Sequence, residues 1–160
     1  MSKSNRQVRL KTRPDGTPKA DHFELVESEM PQPGEGQLLC KSLYLSLDPY
    51  MRGQISGRHI SGTINPGEVM RGETVSEIIH SPHPDYKPGD LVMHHGGWQA
   101  YSVAEVQEVS RVDPRIEPAS LALGIMGMPG LTAFAGLFYL AEVKKGDVVL
   151  ISAASGAVGS

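Results

Sequence analysis

Residues 37–47 read QLLCKSLYLSL, and the side chains of this run divide under a two-residue period. Leu39, Lys41, Leu43, Leu45 and Leu47 fall on one side of an extended chain, and Leu38, Cys40, Ser42, Tyr44 and Ser46 on the other. That is the spacing of a strand with one face turned inward, not of a helix. Working outward, residues 73–79, 90–94 and 99–103 are further short strand candidates. Pro82, Pro84, the pair Pro88-Gly89 and the pair Gly96-Gly97 punctuate them, each residue type favouring a turn. Short strands broken at this rate between about residues 15 and 115 predict a mainly β domain closed as a barrel.

The texture changes after Asp113-Pro114. Residues 117–146 read EPASLALGIMGMPGLTAFAGLFYLAEVKKG, with apolar residues at helical spacing. Ser120 or Glu117-Pro118 is expected to open a short helix, and residues 130–140 a second one with Pro129 near its first turn. A turn follows over residues 144–147. Val148, Val149, Leu150 and Ile151 then form an uninterrupted aliphatic run, predicted to be a strand buried on both faces of a parallel sheet. Residues 153–160 follow as Ala153-x-x-Gly156-x-x-Gly159-Ser160. A dinucleotide-binding turn needs residues without bulk after a strand, so that backbone can approach a pyrophosphate at a helix start. Ala153 stands where the first glycine of that pattern would be, and a purely structural turn is the competing reading.

Composition bounds the function classes. The chain has 160 residues, 39% hydrophobic and 21% charged, with net charge -3; this suits one folded domain and part of a second. Lys3, Arg6, Arg9, Lys11 and Arg13 cluster without an acidic residue among the first thirteen. No aromatic residue is interleaved for base stacking, so the cluster reads as a solvated edge strand and nucleic acid is set aside. Cys40 is the single cysteine, which rules out an intramolecular disulfide and a cysteine-rich zinc site. No apolar run approaches the roughly 18 residues of a membrane span, and the start lacks a signal-peptide core, so a cytoplasmic location is expected. Among the six histidines, adjacent His94 and His95 would point to opposite faces of a strand, and Pro82 breaks any helix carrying His80 and His83. No metal ligand is assigned.

Residues 46–52, Ser46-Leu47-Asp48-Pro49-Tyr50-Met51-Arg52, resemble the Ser-x-Asp-Pro-Tyr-Met-Arg signature of the zinc-free medium-chain dehydrogenases/reductases grouped as prostaglandin reductases and alkenal double-bond reductases, including curcumin reductase-like members. Residues 127–133 resemble that family's Gly-Met-x-Gly-x-Thr-Ala block, and residues 153–160 its Ala-Ala-x-Gly-Ala-Val-Gly-Ser turn. The resemblance implies a GroES-like substrate domain over residues 1–123, followed by the start of a Rossmann domain over residues 124–160, the remainder of which is expected beyond Ser160. It also implies NADPH as cofactor and reduction of the C=C bond of α,β-unsaturated ketones or aldehydes, with hydride delivered to the β-carbon and the resulting enolate protonated. By the same resemblance Pro49, Met128 and Thr132 line the nicotinamide pocket, and Gly156, Ala157, Val158, Gly159 and Ser160 lie beneath the cofactor phosphates. Tyr50 is the candidate catalytic residue bordering the substrate; its competing reading is a tyrosine packed beneath a turn. A small-molecule enone or enal partner and a homodimeric parent are expected. The alternatives are a zinc-free quinone reductase and a non-enzymatic GroES-like binding module. Arg52 and Arg58 could meet an anionic group, though charged residues among glycines more often coat a solvated loop.

Overall fold

The structure is a computed structural model that describes residues 4–159. It divides into two compact units, residues 1–112 and residues 113–160.

In the first unit the elements run β1 (Ser4–Leu10), β2 (Phe23–Glu29), β3 (Gln37–Leu45), α1 (Tyr50–Ile55), β4 (Thr74–His80), β5 (Leu91–His94), β6 (Tyr101–Glu105) and β7 (Ser110–Arg111). Among the described residues these strands form two antiparallel sheets. One pairs β1 with β2, and the other has the order β6-β3-β4-β5-β7. Two members of the basic N-terminal cluster lie in the first sheet, where Arg6 stands opposite Glu27 and Arg9 opposite Glu24. The Arg9 guanidinium donates to Gln7 Oε1, two residues away on the same strand, at 2.7 and 3.1 Å. β1 is also stitched to the loops that flank the large sheet: Val8 N donates to Trp98 O at 2.8 Å, and Met70 N to Val8 O at 2.9 Å. The mainly β expectation therefore holds.

Strand β3 ends at Leu45 and not at Leu47, and its ladder with β4 shifts register between Leu39 and Cys40 and again between Ser42 and Tyr44. Of the two faces read from the sequence, the one carrying Leu38 and Cys40 is buried, both at 0% exposure. With Ile78, Val92, Ala104 and Val109 they make one core cluster. Leu10, Ile55, Ile64 and Met70 make a second, with Trp98 and Phe23 packed against it. Each fully buried aliphatic side chain here stabilises the fold by about 1.5–3 kcal/mol.

In the second unit a 3-10 turn spans Ala119–Leu123, and α2 (Met128–Phe134) begins with Pro129 at its first positions. Pro129 costs nothing there, because the missing N–H would have had no partner in the helix. A π-helical segment continues over Ala135–Leu140, with the Phe134 and Phe138 rings 4.8 Å apart. Asp147 N donates to Lys144 O at 3.1 Å and Gly146 takes φ +101°, closing the expected turn. The expected strand over residues 148–151 is not formed. A strand buried in a sheet needs ladder partners for its N–H and C=O groups. None reaches this segment among the described residues, and Val148 and Leu150 stand 98% and 97% exposed.

Candidate active site

The block at residues 46–52 becomes the end of a strand connection and the start of α1. Pro49 caps the helix, and Asp48 O accepts from Met51 N at 3.1 Å while Pro49 O accepts from Arg52 N at 3.1 Å. Met51 and Ile55, four residues apart, turn inward with Gln54. Tyr50 is thus the first helical residue, placed by a proline-started turn whose inner face is anchored in the core. It is half-buried. Its phenol is held above the ordinary tyrosine range, first by burial and then by the carboxylates of Asp48 and Glu73. Among the described residues no group hydrogen-bonds to its hydroxyl. As in any tyrosine at neutral pH the oxygen carries its proton, and the O–H is a donor with its direction uncommitted.

Pro49 itself is exposed beside Tyr50. Arg52 lies on the outer face of α1, where its Nη2 donates to Gly16 O at 2.5 Å. It shares with Asp15 and Arg58 the wall of an open cleft of about 480 Å³.

In the second unit Met128 and Thr132 lie one helical turn apart on α2. The Thr132 hydroxyl donates to Met128 O at 2.8 Å, leaving its oxygen able to accept. Both side chains are exposed. The small-residue turn is tight: Gly156 N donates to Ala153 O at 2.8 Å. A Cβ on Gly159 would come 2.5 Å from that same carbonyl oxygen, and one on Gly156 3.1 Å from it. Ala153 takes φ +52°, the left-handed region that costs a non-glycine residue about 1–2 kcal/mol. Ala157 and Val158 are exposed on this turn. Ser160 lies outside the described residues.

Among the described residues no group of three or more His, Cys, Asp or Glu is arranged to hold a metal ion. His94 is buried on the inner face of β5 and adjacent His95 is exposed. His94 Nε2 lies 3.2 Å from Ser76 Oγ and 3.4 Å from Ser102 Oγ. Burial first, and the neighbouring His95 second, lower its pKa to about 4. Cys40 is likewise inert: burial pushes its thiol up to about 11. No helix of the described residues is long and apolar enough to cross a membrane.

Sequence reasoning missed α1 and the residues packed on it, above all His59 and Ser61. The signal available was the i, i+4 spacing of Met51 and Ile55 behind a proline, which is a helix-start pattern.

A family described as the N-terminal domain of oxidoreductase matches residues 6–112. The chain is similar to the NADPH-dependent curcumin reductase of Escherichia coli (strain K12), 41% identical over 157 residues, which is 98% of this chain and 46% of that protein. It is similar to a 2-alkenal reductase (NADP(+)-dependent) of Nicotiana tabacum, 38% identical over 164 residues, covering 98% of this chain and 47% of the other. In structure it is similar to CurA from Vibrio vulnificus in complex with NADPH, with a TM-score of 0.87 and 41% identity over 96% of this chain and 46% of that one. The chain thus spans about half the length of the relatives it matches.

Proposed function

Because the chain belongs to the family of oxidoreductase N-terminal domains, we propose that it is the substrate-side portion of an NADPH-dependent oxidoreductase that reduces the C=C bond of α,β-unsaturated ketones and aldehydes. The observation that carries this reading is Tyr50, a half-buried phenol at the start of α1 with its hydroxyl uncommitted. A conjugated carbonyl oxygen gains negative charge as the double bond is reduced, and a fixed donor at that oxygen stabilises the change. Tyr50 is accordingly the catalytic residue of the proposal. Proline-capped α1 holds it, with Met51, Gln54 and Ile55 anchoring the helix from below.

The cofactor is tested by the shape of residues 153–159. Gly159 is required by the turn itself, since its Cβ would meet the Ala153 carbonyl oxygen at 2.5 Å, and the small residues around it keep side chains away from a pyrophosphate approached by backbone. Gly156, Ala157, Val158, Gly159 and Ser160 are the residues proposed to hold the phosphates. By the family resemblance, Pro49, Met128 and Thr132 are the residues proposed for the nicotinamide end. When bound, NADPH supplies the hydride. Tyr50 supplies the hydrogen bond, and the apolar exposed side chain of Met128 would limit water at the ring.

The reading includes a substrate domain over residues 1–123 and a Rossmann start over residues 124–160. It also includes metal-independent chemistry, a cytoplasmic location, small-molecule partners only and a homodimeric parent. Similarity to reductases named for curcumin and alkenals supports the substrate class. The test is NADPH oxidation by the full-length gene product with a conjugated enone, a simple quinone or a saturated ketone, each with and without EDTA. Enone-dependent, EDTA-insensitive turnover is expected. Turnover of the quinone alone would make it a quinone reductase, and absence of both turnover and cofactor binding would make it a binding module.

A further inference from the structure

We infer that His59 is a positioning residue that sets the Tyr50 ring, and through it the fit of the conjugated substrate. The inference rests on the reading of Tyr50 above. Three contacts fix His59. Its ring centroid lies 5.8 Å from that of Tyr50, with the planes tilted by 36°, within the range of a favourable aromatic pair. On the side of α1 it fills the space over Gly53. A Cβ there would lie 2.7 Å from His59 Cδ2 and 3.2 Å from its Cβ and Cγ, closer than side chains pack. Gly53 does not occupy the left-handed backbone region, so its glycine is explained by the room it leaves for this imidazole and not by its own conformation.

On the third side His59 is latched. Ser61 N donates to His59 Nδ1 at 3.1 Å, and the Ser61 hydroxyl lies 2.6 Å from the same nitrogen. An amide N–H at Nδ1 makes that nitrogen an acceptor, which places the imidazole proton on Nε2. Gln54 Nε2, from a side chain buried within α1, donates to Ser61 Oγ at 3.0 Å. The Ser61 hydroxyl that receives from Gln54 stands 2.6 Å from the same His59 nitrogen, whose single lone pair it shares with the Ser61 amide. The loop after α1 is tied back to the helix through Gln54, Ser61 and His59, and the free face of His59 is the one against Tyr50. The His59 ring thus stands beside the Tyr50 ring on that side.

The test uses the full-length gene product, with NADPH and benzylideneacetone as the enone. Tyr50→Ala, His59→Ala, Ser61→Ala and the Tyr50→Ala/His59→Ala double variant are compared with the parent. His59→Ala is expected to raise the enone KM by about tenfold, whereas the KM for NADPH moves by less than about twofold. Ser61→Ala, at an exposed position, should raise the enone KM in the same direction by about threefold, because it loosens the latch without removing the ring. In the Tyr50→Ala background, His59→Ala should add nothing, since residues acting through one another are non-additive. A further tenfold rise in the double variant, or equal changes in both KM values, overturns the role of His59 while leaving Tyr50 in place. An unchanged enone kcat/KM in Tyr50→Ala alone overturns the reading of Tyr50 itself, and the inference with it.

Discussion

Lowering the pH should destabilise the first unit through His94, and the effect can be sized. The folded pKa is about 4, depressed from an ordinary value of 6.5, because protonation would place a charge on the 5% exposed inner face of β5. A depressed histidine binds its proton more readily when unfolded. Its stabilising contribution is therefore complete above pH 6.5, falls as pH drops, and is exhausted below about pH 4. At 1.36 kcal/mol per pH unit, the unit should lose about 2 kcal/mol between pH 7.5 and pH 5 from this group alone. Glu68 and Asp113 are also shifted, but downward from 4.5 and 3.8, so their losses fall at lower pH than most of this window. The assay is the urea midpoint of unfolding measured across the window for the parent and for His94→Gln, which keeps a polar group toward Ser76 and Ser102 without titrating there. The variant should be less stable at pH 7.5 yet lack most of the parent's decline. A parallel decline in both proteins would refute the assignment.

Three further outcomes are expected. Cys40, fully buried with its thiol pushed up to about 11, should react with iodoacetamide at pH 8 only after unfolding, its thiolate fraction in the folded state being about one part in a thousand; rapid labelling of native protein would contradict this. Gly96→Ala would place a Cβ 2.5 Å from Thr74 Oγ1 and 3.0 Å from the His94 ring; chemical denaturation should register a loss of about 1–3 kcal/mol from overpacking, and an unchanged midpoint would mean the loop relaxes freely. Residues 1–160 as a separate polypeptide should self-associate through the exposed Val148 and Leu150, and Leu150→Asp should lower the apparent mass in sedimentation.

Four of the five strands of the large sheet were legible, because residues 37–47, 73–79, 90–94 and 99–103 show a period of two or dense β-branched residues, whereas the two-residue edge strand β7 (Ser110–Arg111) is too short to carry either signal. Which face of β3 points inward was not legible. That choice depends on its register with β4 and β6, a non-local property. The β1–β2 pairing is non-local too, so Arg6 and Arg9 looked like bare cations until Glu27 and Glu24 were found opposite. Tyr50 could be nominated from the sequence, but its helical setting was obscured by a proline and a glycine within five residues. His59 could not be nominated at all, because its place is set by space over Gly53. Residues 148–151 failed in the other direction: their composition suits an interior strand, yet a strand exists only where another chain segment completes its hydrogen bonds.

The Phe23 and Trp98 rings lie nearly parallel, 8° apart with centroids at 6.5 Å, and Trp98 is the only tryptophan in the sequence. Its emission is therefore a single optical reporter seated at the second core cluster of the first unit. A fluorescence melt would follow residues 1–112 and be blind to residues 113–160, so the temperature separating it from a far-ultraviolet circular dichroism melt would measure how far the two units unfold as one.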